Sequence, residues 1–315
     1  RNYQILFLSL FLILGIFTRD WTLRPELILV VIVTCILTQW LAIFIFPNPQ
    51  EKLLKILSKN SDCFEKNNYN LASFSQLHSL KSAMITGLGL SLLLRADHYN
   101  TMVLAGSFAI LSKFLFQVER KHFFNPANFG IIAALILTND AWVSPGQWGD
   151  EGWYALLFMG TGGMVLKRVG RWDTTAAFLG TYALLEAIRN FWLGWTWDVY
   201  VHRLMSGSLL LFALFMITDP RSIPKARIGR LVWAGCIAIF SFILRNYFFV
   251  SSGVFWALFA LSPFSVLLDV IWSAPQFSWL STVSNADRCS IEVATDREYE
   301  QYSEARTESL HRSLS

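Results

Sequence analysis

Charge is scarce in this chain. Of its 315 residues, 15% are Asp, Glu, Lys or Arg, 54% are hydrophobic, and the mean hydropathy is +0.43. A soluble domain carries about a quarter charged residues, so this composition excludes an ordinary soluble globule. The charges are also clumped. Leu27 to Phe46 has no formal charge, and its ~20 residues are what a bilayer core requires. Leu231 to Phe249 carries only Arg245. The chain therefore reads as a polytopic membrane protein. Cysteine is equally sparse. Cys35, Cys63, Cys236 and Cys289 form no CxxC pair, which argues against metal or iron–sulfur ligation and leaves them as small core residues. No general base, nucleophile or metal set stands out, so no catalytic residue and no metal ligand is assigned. The net charge of +4 is not gathered into a nucleic-acid footprint.

Apolar periodicity gives about ten spans, near 5–18, 27–46, 81–94, 101–117, 126–138, 153–167, 174–190, 204–217, 229–249 and 253–272. A secretory leader is the rival reading of the first run. No small-x-small cleavage pattern follows it. The expected fold is an all-α polytopic bundle. Lys52, Lys55, Lys59 and Lys66 follow span two, Arg120 and Lys121 span four, Lys167, Arg168 and Arg171 span six, and Arg221, Lys225, Arg227 and Arg230 span eight. The alternate loops are poor in bases. Under the positive-inside rule, this puts both termini in the cytoplasm of a cytoplasmic (inner) or equivalent membrane. The division is a transmembrane domain, 1–272, with a cytoplasmic loop at 47–80, and a cytoplasmic, largely disordered tail, 273–315.

Two segments place polar groups beside proline. In KHFFNPANFGI, Asn125 is suited to cap a helix that Pro126 opens, with His122 before it and Asn128 in its first turn. In FMITDPRSIP, Thr218 and Asp219 end a span that Pro220 stops. One break precedes its short helix and the other follows it, as in an inverted 5+5 repeat with breaks meeting near the midplane. An ordinary surface cap and a cytoplasmic turn remain open for these segments. Other intramembrane charges are second-rank candidates. Glu186 and Arg189 are placed to satisfy each other, and Arg245 and Asp269 lie near span ends. Gly160, Gly162 and Gly163 suggest close helix packing.

These segments resemble a known family. HFFNPANFG is similar to the HxFNPAxxG segment, and FALFMITDPRSIP to the TDP segment, of the NqrB/RnfD superfamily of membrane electron-transport subunits. Its members include the RnfD component of the Rnf electron-transport complex and the NqrB component of the sodium-pumping NADH:quinone reductase. The closing pair of helices, with Arg245-Asn246 before the last loop, resembles theirs too. The likeness covers about residues 81–272, and HFFNPxNFGI is closest to the UnbU-like branch. The resemblance implies a urea/ammonium-channel-like ten-helix fold and flavin within the membrane. The family's flavin-bearing threonine has no counterpart in Val143 to Asp150, so no covalent FMN is expected. The resulting expectation is a noncovalent riboflavin or FMN site formed by His122, Asn125, Pro126, Asn128, Thr218, Asp219, Arg245 and Asn246. The chain would then be a non-catalytic electron-transfer subunit whose partners are the lipid bilayer and other membrane or redox subunits. The alternative is a transporter or channel for a small polar or flavin-like solute.

Overall fold

The structure is a computed structural model that describes residues 2–18, 24–46, 79–118, 121–144 and 152–275. The readings of most of the 47–80 loop, of Arg120, of Pro145 to Asp150 and of the tail from residue 276 fall outside these residues. The described part belongs to one unit, Arg1–Pro275. It is built almost wholly of helices: α1 Asn2–Thr18, α2 Pro25–Ile45, α3 Ser79–Leu93, α4 Tyr99–Leu115, α5 Pro126–Leu137, α6 Gly152–Val169 and α7 Trp172–Trp192. The chain continues through α8 Trp197–Leu204, α9 Gly207–Leu211, a π-helical turn Phe212–Met216, α10 Arg227–Asn246, α11 Gly253–Leu261 and α12 Phe264–Ile271. Two-residue strands β1 (Leu94–Arg95) and β4 (Trp142–Val143) pair antiparallel, as do β2 (Gln117–Val118) and β3 (Lys121–His122).

Among the described residues, α2 and α10 are long and apolar enough to cross a membrane alone. Two bent pairs pass the same test together: α8 with α9 and its π turn, bent by 48°, and α11 with α12, bent by 47°. Their bends fall at Met205-Ser206 and Ser262-Pro263. A proline after a helix removes a donor and clashes with the preceding turn, which explains the second. The apolar pattern alone predicts a single straight run in each place.

Side-chain contacts fix helix directions. Asp173 near the start of α7 bonds Arg230 near the start of α10, and Glu186 near the end of α7 bonds Asn246 at the end of α10. The two helices therefore run parallel, and the α8–α9 pair returns the chain between them. Helices α4 and α5 form an antiparallel pair around the β2–β3 hairpin. Their approach is set by Gly130, where an added Cβ would lie 2.5 Å from the Ala105 carbonyl oxygen and 2.8 Å from the Ala109 methyl. Of the three glycines expected to allow close packing in α6, Gly162 does so, 2.8 Å from the Leu214 side chain. Gly160 and Gly163 meet nothing within 4 Å among the described residues. Cys35 is buried as expected, but Cys236 is exposed, because α10 turns that face outward.

Asp140, just beyond α5, caps α4 from outside. Its carboxylate accepts from the His98 backbone N–H at 3.0 Å and the Thr101 hydroxyl at 2.6 Å. Desolvation works against its ionisation, but the hydrogen bonds from Thr101 and His98 prevail and hold its carboxyl well below the usual carboxylate range.

This packing is testable at two positions. Gly130→Ala should lower the stability of the full chain in detergent by about 1–3 kcal/mol, as overpacking does. Gly163→Ala should be neutral, so equal melting shifts for the two would contradict the close approach. Asp140→Ala should cost about 0.5–2 kcal/mol for the lost cap. Because the folded-state pKa is depressed, this stabilisation is complete above the unfolded carboxylate pKa of ~3.9 and is lost as pH falls further. Melting curves of wild type and variant should therefore converge on acidification, and a gap independent of pH would contradict the ionic cap.

Candidate functional site

Asn125 holds the centre of the molecule. It is the N-cap of α5, and its Oδ1 accepts from the Asn128 backbone N–H at 3.1 Å, with Pro126 in the first turn. Its Nδ2 donates across the fold to the Met216 carbonyl oxygen at 3.0 Å, at the end of the π turn. One turn on, Asn128 Nδ2 donates to the Phe255 carbonyl oxygen at 3.1 Å, in the first turn of α11. The two proline-bounded breaks are thus joined directly, by a side chain of one and a carbonyl of the other.

The π turn makes that carbonyl available. Ile217 N–H reaches back five residues to the Phe212 carbonyl oxygen at 2.9 Å, which loosens the usual helical pairing. Side chains take the displaced carbonyls. Thr175 Oγ1 donates to Ala213 at 2.7 Å, Thr218 Oγ1 to Leu214 at 3.0 Å, and Asn125 to Met216. Such turns often mark functional positions in helices. Nothing in FALFM announces a π turn, so the sequence reading missed it.

Ion pairs close the outer edge of the junction. His122 Nε2 lies 3.5 Å from Asp219 Oδ2, a loose contact that becomes an ion pair when the imidazole is protonated. Lys121 Nζ pairs with Asp269 Oδ2, and Asp269 Oδ1 accepts from the Lys225 backbone N–H at 2.6 Å. The sequence places Asp269 near a span end and gives it no partner. In the fold it ties the hairpin before α5 to the end of α12. Asp219 Oδ1 accepts from the Arg221 backbone N–H at 3.2 Å.

Aromatic rings fill the space between the two levels. Phe124 stacks on Phe259 at 5.0 Å between ring centres, and Phe129 packs on both at 5.2 and 5.8 Å. Segment 121–128 and the α11–α12 pair therefore run side by side, from Lys121–Asp269 through Phe124–Phe259 to Asn128–Phe255. Extended chain at ~3.3 Å per residue followed by helix at ~1.5 Å covers about 20 Å between the ends of that ladder. In this set one acceptor is left over. Asn128 is 1% exposed, and its Oδ1 has no hydrogen-bond partner.

The eight expected residues fall into two groups. His122, Asn125, Pro126, Asn128, Thr218 and Asp219 gather at the junction. Arg245 and Asn246 lie at the far end of α10 in a second polar cluster. There Glu186, 2% exposed, accepts from the Tyr182 hydroxyl at 3.0 Å, Asn246 Nδ2 at 2.9 Å and Arg203 Nη1 at 3.1 Å. The partner expected for Glu186 was Arg189. Arg203 takes that place, and Arg189 lies over the Trp195 ring at 4.6 Å. Helix α8 brings Arg203 back over the end of α7, a return that spacing along α7 does not reveal. Arg245 bonds the Tyr182 hydroxyl at 3.0 Å.

A helical membrane protein with two proline breaks joined through an asparagine amide is the class this geometry defines. Residues 141–277 match the model of the NQR2, RnfD, RnfE family. Among curated proteins the chain is similar to the RnfD-type subunit of the ion-translocating oxidoreductase complex of Halorhodospira halophila (strain DSM 244 / SL1), 30% identical over 47% of this chain and 40% of that protein. It is similar to the protein of the same name from Actinobacillus pleuropneumoniae serotype 5b (strain L20), 34% identical over 31% and 29%. The Vibrio atlanticus (strain LGP32) protein is 34% identical over 37% and 34%. The matches span less than half the length of these relatives. The chain belongs to the NqrB/RnfD superfamily, a family of membrane electron transport.

The junction predicts that Asn125→Leu, close in size, destabilises the full chain by about 2–5 kcal/mol, since it strands the Met216 carbonyl and the Asn128 N–H. Asn128→Leu loses one bond to Phe255 and removes an orphaned acceptor, so its cost should be smaller. Denaturant titration in detergent that ranks the two in the opposite order would contradict the assignment of Asn125 as the staple.

Proposed function

We propose that the chain is an integral membrane electron-transfer subunit that holds riboflavin or FMN noncovalently at the Asn125–Met216 junction. The observation that carries this reading is the buried, unpartnered Oδ1 of Asn128 among aromatic rings. An orphaned buried acceptor costs about 1–3 kcal/mol, and a ligand N–H would recover it. The imide edge of a flavin offers such a donor, and the Phe124–Phe129–Phe259 cluster offers a flat apolar wall. His122 and Asp219 would set charge beside it, while Asn125 would keep the two breaks together rather than touch the ligand. When bound, a flavin supplies the electron-carrying chemistry and the protein supplies orientation and field. The names of the curated relatives, subunits of an ion-translocating oxidoreductase complex, support redox partners for this chain. Ser144 is buried and its N–H donates to the Leu93 carbonyl oxygen at 2.8 Å, so attachment through it is not part of the proposal.

The same reading covers the membrane arrangement. It comprises ten spans with an inverted repeat, urea/ammonium-channel-like, with both termini in the cytoplasm of an inner or equivalent membrane, a transmembrane domain to residue 272 and a cytoplasmic tail. The ~20 Å ladder from the Lys121–Asp269 pair to Asn128 supports a junction near mid-depth in a hydrocarbon core of ~30 Å. Non-helical backbone is tolerated there only when protein or a cavity covers it. The alternative reading, passage of a small polar or flavin-like solute, draws on the two bent helix pairs, since discontinuous helices frame the sites of many transporters.

Purified full-length protein should absorb near ~450 nm, as oxidised flavin does, and acid should release the flavin free of peptide. Asn128→Leu should weaken flavin binding about tenfold with helix content unchanged, the effect of losing one buried hydrogen bond. Colourless protein that also ignores added riboflavin and FMN would overturn the flavin reading. Solute uptake into proteoliposomes by such protein would establish the alternative.

A further inference from the structure

At the far ends of α7 and α10, three guanidinium groups converge on a single carboxylate. Glu186 is fully used by Tyr182, Asn246 and Arg203. Arg203 also donates to Asn246 Oδ1 at 2.8 Å. The other two arginines have no carboxylate. Arg245 Nη1 reaches only the neutral Tyr182 hydroxyl, and its guanidinium lies 5.9 Å from that ring. Arg189 lies over Trp195, and its Nη1 is buried with no hydrogen-bond partner. The nearby acid in sequence, Asp198, is engaged at the start of α8 with Thr196 and Val199. The cluster therefore carries two positive charges that none of the described residues neutralises. Partly buried cations of this kind are retained when an anion completes them.

The surroundings indicate which anion. The residues flanking the cluster are large, apolar and exposed: Phe191 82%, Trp192 85%, Trp197 61%, Tyr247 72%, Phe248 68% and Phe249 82%. Exposed aromatics of this type collect at the level of lipid headgroups. Arginine pairs with phosphate through two parallel N–H···O bonds, which suits planar groups presented side by side. We infer that Arg189 and Arg245, walled by Trp195, form a seat for a phosphate group, supplied by the headgroup of an anionic phospholipid.

The test uses the full chain, delipidated in neutral detergent. Melting is followed with added phosphatidylglycerol, phosphatidylcholine or sodium phosphate. Phosphatidylglycerol should raise Tm by about 3 °C or more over phosphatidylcholine, as a ligand specific to the folded state does. The double variant Arg189→Gln with Arg245→Gln should lose that excess while keeping its helix content, and the double Lys variant should restore part of it. If that variant does not fold, mass spectrometry decides instead: wild type should retain phosphatidylglycerol through delipidation and Arg189→Gln alone should retain less. If sodium phosphate reproduces the whole shift and phosphatidylglycerol adds nothing, the source is a soluble anion and the lipid assignment is overturned. A phosphatidylglycerol effect equal in wild type and variant, or no effect of any phosphate, overturns the seat itself.

Discussion

A single amide organises the described fold. Asn125 satisfies the first turn of its own helix with its oxygen and the carbonyl of Met216 with its nitrogen. In an apolar interior each of those groups is costly to leave unmade. A side chain with one donor and one acceptor on a short stem meets both needs at once. Aspartate offers no donor at neutral pH, and glutamine carries its amide one methylene further away. The requirement explains why a polar residue stands beside proline in so apolar a chain.

The other features depend on that bond. The π turn presents Met216 because its carbonyls have been released from regular helical pairing, and Thr175 and Thr218 hold the neighbouring carbonyls. The Lys121–Asp269 pair anchors the start of the segment that delivers Asn125, and Asn128 anchors the next turn to α11. Gly130 then lets α5 press against α4. Helices α4, α5, α11 and the π turn are linked through one short stretch of sequence, Lys121 to Gly130. The proposed flavin site borrows this scaffold, since rigid surroundings are what hold a cofactor in one orientation.

Much of this is legible in the sequence. Asn125 as N-cap with Pro126 in the first turn follows from capping chemistry alone, and the structure has it so. The pairing of that break with the one at Asp219 follows from matching polar–proline patterns, and the contact is direct. Other features are hidden for physical reasons. A π turn leaves no compositional trace, because it is stabilised by side chains far along the chain. The partner of Glu186 is misread because α7 offers Arg189 at the right spacing, while Arg203 arrives only when α8 folds back. The bend at Ser262-Pro263 is marked by a proline, yet the apolar run around it hides the break. The sequence turns the whole amide of Asn128 toward a ligand, whereas half of it is committed to Phe255.

The central claim is that the NPA and TDP breaks lie against each other in the membrane-embedded fold. Cross-linking in native membranes tests it directly. A variant with the native cysteines replaced would carry His122→Cys and Asp219→Cys, with His122→Cys and Asn246→Cys as the distant pair. A short thiol-to-thiol reagent should join the first pair, so that a cut between them leaves one covalent species, and should not join the second. Failure of the first pair to cross-link while both thiols react singly, or equal cross-linking of the two pairs, would contradict the account.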